Sequence, residues 1–419
     1  MADLYEVVTR VIHDTSGQWS QGEITNRACP VIMPGMSGIN SYHFQVEHFI
    51  TDDFQMAQSA VKPSRSKSSK PPYAVPTMTA ITDIPWNGYN VVSTFSGAGG
   101  SCLVYRMAGF RVLWANEFVP AAQDTYKLNH PNSILNTSDI RELHPGDILS
   151  AINLQVGELD LFDGSPPCAS FSTAGKREKG WGKQKAYSDT AQRTDDLFFE
   201  YSRMIRGLQP KTFVAENVSG LVKGKAKGYF LEILAELKHC GYEVSAKLLN
   251  AKWLGVPQAR ERLIFVGVRN DLVERFDVHP THPKPLPYTY TVRDVIPWIT
   301  RIRVGGALDN WESPDRPSAT IVQSDGARTN DTAYMSSYLV ESLTDAPHVD
   351  DECRSVQVKG KHSNPKGQTK NIERRKFSIA ELRRICGFPD DFQLSGDYAH
   401  QWERLGRAVP PVMMSHIAK

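Results

Sequence analysis

The sequence lacks the marks of several classes of protein. Its six cysteines are scattered through 419 residues, with neither a pair at zinc-ligand spacing nor the density of a disulfide framework, which favours a reducing compartment. No uninterrupted apolar run approaches the length of about 18 residues that a membrane helix needs, and the first residues contain no apolar signal segment. We therefore expect a cytoplasmic protein with no membrane segment and no metal site.

A strong excess of charge is also missing. Lysine and arginine total 48 against 46 acidic residues, a formal net charge of +2. Because nucleic-acid-binding domains are often strongly basic, any surface of that kind must be local. The basic stretch from Lys359 to Lys376 is one candidate, and its residues alone fit a solvated face and a phosphate-binding face equally well.

Composition divides the chain into segments. The stretch from Lys62 to Pro76 has few large apolar side chains, so residues 61–88 are interpreted as a flexible linker after a leader, 1–60, with two short helical patterns. A helix-turn-helix in this leader is one interpretation, but so weak a pattern favours a helical appendage without a function of its own.

Alternating strand and helix patterns then predict a doubly wound α/β domain over residues 89–270. Helical spacing covers Asp195 to Leu208 and Tyr229 to Cys240, and a parallel sheet with helices on both faces is the usual result of such alternation. The predicted strands are NVVSTF, RVLWAN, LDLFDG, KTFVAEN and RLIFVGV. Pro-rich and Gly-rich text with short strand candidates predicts a second, irregular domain at 271–376, and 377–419 returns to the first.

A glycine-rich turn follows the first predicted strand. Its sequence is FSGAGG, from Phe95 to Gly100, and glycines there allow positive φ and close approach to a ligand. A tight structural turn and a dinucleotide-binding loop remain alternatives. The second strand ends at Glu117, where an acid commonly holds ribose hydroxyls, and Asp139 follows the third candidate strand, where it can contact an adenine amino group.

The fourth predicted strand runs into Ser165-Pro166-Pro167-Cys168. A lone cysteine is usually a small buried hydrophobe. Core strands avoid proline, however, and the carboxyl end of a sheet strand is where ligands bind, so Cys168 becomes a candidate nucleophile. The basic, glycine-containing loop from Ser172 to Ala186 can close over a polyanion.

Glu216 ends the fifth predicted strand, beside the fourth, so it can share a pocket with Cys168. A buried acid next to a thiol is costly as mere packing, but it suits the binding of a heterocycle's ring nitrogen and amino group. Gln258, Arg260 and Arg262 alternate along the next predicted strand, which places them on one face near the thiol. Two arginines there would stabilise a thiolate and bind a phosphate or carbonyl.

Taken in order, these features resemble the DNA (cytosine-5)-methyltransferase family. The resemblance covers Val91 to Met413 and rests on the blocks FSGAGG, Glu117, Asp139, GSPPC, ENV, QARER, RPSATI and GRAVPP. It implies a Rossmann-like S-adenosylmethionine-dependent methyltransferase fold, with a smaller target-recognition domain at 271–376, and it favours DNA contact by the basic stretch.

The resemblance also implies roles for individual residues. Cys168 adds to C6 of cytosine, Glu216 binds N3 and the 4-amino group, and Arg260 and Arg262 lie beside the substrate. S-adenosylmethionine is expected to contact Phe95, Gly97, Gly99, Glu117, Phe118, Asp139, Ile140, Leu197, Ala408 and Val409. Contacts to double-stranded DNA are expected from Ser172, Lys176, Arg177 and Thr320.

Three other functions stay open at this stage. The first is the same chemistry on transfer RNA, the second is DNA-binding regulation through the leader, and the third is an oxidoreductase built on the glycine turn alone. One departure from the family is clear, because Arg407 stands where the last block usually has asparagine. The family resemblance further implies a monomer, a short specific target sequence and, in some members, a cognate restriction endonuclease.

Overall fold

The computed structural model describes residues 70–167, 185–187, 190–192, 196–222, 226–303, 311–322, 339–343 and 372–418. The chain divides into two units, Met1–Ser66 and Lys67–Lys419, and every described residue belongs to the second. The predicted leader, 1–60, lies outside the described residues, so its helical patterns stay a prediction.

Strands and helices alternate through the first half of this unit and become shorter in the second. Within the described residues the strands are β1 Asn90–Thr94, β2 Arg111–Asn116, β3 Ile134–Asn136, β4 Leu161–Gly164, β5 Lys185–Tyr187, β6 Thr190–Gln192, β7 Thr212–Val218, β8 Tyr242–Asn250, β9 Gln258–Ala259, β10 Glu261–Arg269, β11 Ile299–Arg303, β12 Trp311–Glu312, β13 Ser318–Ala319, β14 Leu339–Leu343 and β15 Ile372–Lys376. The α-helices described are α1 Met78–Thr82, α2 Gly100–Met107, α3 Pro120–Asn129, α4 Pro145–Ile152, α5 Leu197–Leu208, α6 Ala226–His239, α7 Asn270–Phe276, α8 Val292–Val295, α9 Ile379–Ile385, α10 Tyr398–Arg407 and α11 Pro411–Ser415.

The central sheet confirms the α/β fold class and corrects one detail of it. Among the described residues seven strands pair in the order β3-β2-β1-β4-β7-β10-β8. The first five are parallel, but β10 is antiparallel to both β7 and β8, so the expectation of a wholly parallel sheet is wrong. The link from β8 to β10 is too short for a helical crossover, and the chain must turn back on itself.

Helices cover both faces of this sheet, as the alternation predicts. On β4, the Phe162 ring stacks on Tyr201 of α5, with ring centroids 4.8 Å apart. The next residue, Asp163, points to the opposite face, where the hydroxyl of Tyr105 on α2 donates to it. Because neighbouring strand residues face opposite sides, these two contacts assign α5 and α2 to opposite faces of the sheet.

A second sheet lies in the region interpreted as target-recognition domain. Among the described residues it has four strands in the order β12-β11-β14-β15. A separate parallel pair joins β13 to β9, so that Ser318 aligns with Gln258. The RPSAT segment is therefore attached directly to the catalytic half. A hydrophobic cluster continues across this region and includes Leu103, Val292, Val340, Phe377 and Trp402.

Two interpretations of composition need correction. Residues 70–88 are not all flexible linker, because α1 forms there, Ile81 is buried and the side-chain amide of Asn87 donates to Ala108 O. In the basic stretch, Arg375 and Lys376 are buried and cannot meet DNA phosphates. Arg375 instead forms an ion pair of 2.7 Å with Glu381. In the part of the chain that the structure describes, we find no helix able to cross a membrane.

Candidate functional site

The glycine turn between β1 and α2 has an unusual backbone. Phe95, Gly97 and Gly99 have φ values of 53°, 55° and 85°, in the left-handed region that favours glycine. A Cβ built on Gly99 would lie 2.3 Å from Nε2 of His130, so glycine is required there by space as well as by φ. A Cβ on Gly97 would meet no atom within 4 Å, so the backbone at this point borders open space.

The side chain of His130 packs against this turn at Gly99. Its buried ring lies with Nε2 3.0 Å from the carbonyl of Gly99 and Nδ1 3.3 Å from Nη1 of Arg106. A carbonyl only accepts and a guanidinium only donates, so the neutral ring must carry its proton on Nε2. Burial, reinforced by the charge of Arg106, lowers the pKa of His130 to about 3. The turn thus rests on a histidine that stays uncharged.

Glu117 closes the other side of the turn from the end of β2. Its carboxylate accepts hydrogen bonds of 2.7 Å from the backbone N–H groups of Gly97 and Val119. Burial raises the pKa of Glu117, while these two bonds and the charges of Arg404 and Arg407 act in the opposite direction. The arrangement holds a carboxylate beside the open space at Gly97, where hydroxyl groups of a ligand can be bound.

The other predicted cofactor residues surround the same edge of the sheet. Asp139 caps the 3₁₀ turn Ile140–Glu142 and pairs with Arg141 at 2.8 Å, and Arg141 also reaches Asp196 at 2.7 Å. Ile140 and Leu197 are buried and Phe118 is half-buried. Asp139 is therefore held in place by ionic contacts before any ligand binds.

The last sequence block packs directly on the glycine turn. A Cβ on Gly100 would lie 3.1 Å from Val409 O and 3.8 Å from the Cβ of Ala408. Arg407 turns its side chain to Glu403, with Nε 2.8 Å and Nη2 2.6 Å from Oε1. Ala408 and Val409 thus lie next to the predicted cofactor site, and the arginine found instead of asparagine is held in an ion pair.

Glu216 and Arg262 form the charged centre of the predicted catalytic site. The strands β4 and β7 are neighbours, with Gly164 aligned to Ala215, so Glu216 lies beside the chain that leads to Pro166 and Pro167. Nε of Arg262 lies 2.5 Å from Oε1 of Glu216, and both side chains are largely buried. Cys168 itself lies outside the described residues, and its position stays a prediction.

Arg260 does not join this pair. The predicted continuous strand breaks between β9 and β10, and the guanidinium of Arg260 turns into the protein interior. It donates to the carbonyls of Ile321 at 3.0 Å and Gly406 at 2.9 Å. Gln258 and Arg260 both bind Ile321, whereas Arg262 turns to Glu216, so the expectation that all three side chains share one face is wrong for Arg262 alone.

The predicted DNA-contact residues are mostly outside the described part of the chain. Ser172, Lys176 and Arg177 all lie in the undescribed range 168–184. Thr320 is described and half-buried, and its hydroxyl donates to the carbonyl of Ala259 at 2.6 Å. Its visible contact braces β9, and contact with DNA stays a prediction.

Two buried polar residues of the site were missed in the sequence. His130 follows α3 without a recognisable motif, whereas Asp163 stands within the apolar strand text LDLFDG. An acid inside a core strand is itself a signal, because burying a carboxylate requires partners.

Comparisons with known proteins address the family and the fold of the chain. Residues 89–419 match the model of the family described as C-5 cytosine-specific DNA methylase. The chain is 29% identical to the Type II methyltransferase M.NgoPII of Neisseria gonorrhoeae over 352 residues, covering 80% of this chain and 95% of that protein. It is 31% identical to the Type II methyltransferase M1.HphI of Haemophilus parahaemolyticus over 335 residues, covering 78% and 85%. A mutant of Spodoptera frugiperda DNMT2 has a similar fold, with a TM-score of 0.53, 19% identity, and coverage of 78% of this chain and 98% of that chain.

Proposed function

Because the chain belongs to the C-5 cytosine-specific DNA methylase family and is thereby a DNA cytosine-5 methyltransferase, we propose that it methylates cytosine within a short, specific double-stranded sequence through a covalent adduct with Cys168. The observation that carries this proposal is the Glu216–Arg262 ion pair. It lies at the carboxyl end of β7, next to the strand that runs into Ser165, Pro166 and Pro167.

The residues at the glycine turn fit the S-adenosylmethionine that the family uses. Gly97 borders open space that a side chain would fill, and Glu117 places a carboxylate beside it. When bound, S-adenosylmethionine supplies the methyl group. We propose that Glu117 holds its ribose, and that the remaining contacts come from Phe95, Gly97, Gly99, Phe118, Asp139, Ile140, Leu197, Ala408 and Val409.

Cytosine needs activation before C5 can accept a methyl group. We propose that the Cys168 thiolate adds to C6, which makes C5 nucleophilic, and that loss of the C5 proton later releases the thiol. Glu216 binds N3 and the 4-amino group and offsets the charge that develops on the ring. Arg262 keeps the Glu216 carboxyl in place, since its guanidinium is buried against it. The target base must leave the stack first, at a cost of a few kcal/mol.

The finer partners follow from the same reasoning. Several relatives are named Type II methyltransferases, which supports a role opposite a cognate restriction endonuclease. We propose a cytoplasmic monomer that closes the basic loop with Ser172, Lys176 and Arg177 over the flipped nucleotide. For Arg260 we propose a structural role in place of the predicted catalytic one, since its guanidinium donates to the carbonyls of Ile321 and Gly406.

A mechanism-based trap tests the proposal. Duplex DNA containing 5-fluorocytosine should form a stable covalent adduct in the presence of S-adenosylmethionine, because fluorine at C5 cannot leave as a proton. Cys168→Ser should form none, and Arg262→Met should form adduct slowly while binding cofactor normally. Absence of any adduct across diverse duplexes, or transfer of labelled methyl groups into transfer RNA in preference to DNA, would contradict the proposal.

A further inference from the structure

Asp163 is a buried acid for which the proposed chemistry has no use. It lies on β4, immediately before Gly164 and the SPPC segment, and its residue is only 2% exposed. Burying a carboxylate in a core strand is expensive unless it is well hydrogen-bonded. Its position therefore calls for an explanation in terms of what it holds.

Three hydroxyl groups converge on this carboxylate. Ser93 of β1 donates to Oδ2 at 2.9 Å, and Tyr105 of α2 donates to Oδ1 at 2.8 Å. The hydroxyl of Ser101, at the start of α2, also acts on Asp163 and lowers the pKa of that carboxyl. The donors thus come from the strand before the glycine turn and from the helix after it.

The bonds continue into the turn itself. Ser96, inside the turn, donates its hydroxyl to Oγ of Ser93 at 3.0 Å, which makes a continuous chain from Ser96 through Ser93 to Asp163. The carbonyl of Ser96 in turn accepts the N–H of Gly99 at 2.9 Å. A turn with positive φ at three residues is not the intrinsic preference of this chain, so such bonds help to keep its shape.

The groups around Asp163 determine the pKa of its carboxyl. Burial, with a contribution from the charge of Glu216 on β7, raises the pKa of Asp163 to about 6 against the effect of its hydroxyl donors. The other titratable groups facing it are Tyr105 and Cys102 of α2 and Tyr201 of α5, and the pKa of each of these is raised. Near neutral pH Asp163 is therefore a carboxylate, and the side chains of Tyr105, Cys102 and Tyr201 beside it are uncharged.

We propose that Asp163 is a positioning residue that holds the glycine turn in its cofactor-binding shape through Ser93, Ser101 and Tyr105. This inference rests on the proposed role of the turn as the S-adenosylmethionine site. Asp163 touches no reacting atom, so its loss should weaken cofactor binding far more than the chemical step.

Kinetics of Asp163→Asn in the full chain test the proposal. We expect KM for S-adenosylmethionine to rise about tenfold, with kcat and KM for duplex DNA changed less than about twofold. Tyr242→Phe is the matched control, because its buried hydroxyl donates to Pro210 O. Tyr242 begins β8, which is an edge strand of the central sheet and does not adjoin β1. The control should lose thermal stability and keep the parent KM for the cofactor.

Calorimetry with S-adenosylhomocysteine gives a readout that needs no turnover. Affinity should fall in Asp163→Asn, and by about threefold in each of Tyr105→Phe and Ser93→Ala, which carry the test if the asparagine variant does not fold. Unchanged affinity in variants that fold and lose stability like the control would show a merely structural role and overturn the inference. Failure of the parent protein to methylate DNA would count against the proposed function instead, because the binding measurement stands apart from it.

Discussion

His130→Gln should change how the stability of the protein depends on pH. In the native structure the neutral ring donates from Nε2 to Gly99 O and accepts from Arg106 at Nδ1. A glutamine amide can both donate and accept, so the two contacts can be kept in part. What the variant removes is the proton-binding group.

The magnitude follows from the pKa of His130, which burial lowers from 6.5 to about 3. As the pH falls below the unfolded value, the unfolded chain binds a proton that the native chain does not, so stability is lost through the window down to the native pKa. Between pH about 7 and about 5 the free energy of unfolding should therefore fall by about 2 kcal/mol. This is about 1.36 kcal/mol for each of the roughly 1.5 pH units below the unfolded pKa of 6.5. This loss should be absent from the variant.

Urea unfolding of both proteins, followed by tryptophan fluorescence at the two pH values, checks this prediction. The free energy of unfolding of the parent, relative to the variant, should drop by about 2 kcal/mol on going to the lower pH. Asp163 also titrates near this range, with a pKa of about 6, but it is present in both proteins and its effect cancels in the comparison. A difference between parent and variant that does not change with pH would refute the reasoning.

Three further predictions concern packing around the site. Gly99→Ala should abolish cofactor binding measurable by calorimetry, because the added Cβ would lie 2.3 Å from Nε2 of His130. Gly88→Ala is the control, because Gly88 has a similar φ of 94° but no atom within 4 Å of the added Cβ, and it should cost only about 1–2 kcal/mol of stability. Arg375→Met should cost about 3–5 kcal/mol in thermal unfolding, because it leaves the buried carboxylate of Glu381 without its cation. Arg384→Met breaks a partly exposed ion pair with Asp390 and should cost less than about 1 kcal/mol. Equal costs for the two variants would contradict this view. Arg260→Met should destabilise by more than about 2 kcal/mol and should leave the 5-fluorocytosine adduct detectable at low temperature; loss of the adduct from folded protein would restore a catalytic role.

The sequence predicts most of what depends on local pattern. Alternating strands and helices, the turn from Phe95 to Gly99 and the acid at Glu117 are each recognisable within a few residues. The neighbouring ends of β4 and β7 follow from strand order in a doubly wound sheet. The family resemblance then supplied the chemistry that these positions share.

Contacts between distant segments were not predictable in this way. Alternation along QARER placed Arg260 beside Arg262, but the strand breaks and Arg260 binds carbonyls 61 and 146 residues away. His130 and Asp163 act through groups that no local motif connects to them. The count of charges in the basic stretch predicted an exposed Arg375. That prediction was wrong, because Arg375 is buried in an ion pair with Glu381, which lies just beyond the stretch.

The packing of Gly100 against Val409 has a consequence for biosynthesis. The ribosome completes the glycine turn early, but the segment that covers it is made about 300 residues later, which is a delay of tens of seconds at typical rates of translation. Nη2 of Arg260 likewise has its acceptor, Gly406 O, only after that late segment has been made. A chain that stops before Val409 lacks the segment that packs on the glycine turn, and we therefore expect it to be inactive.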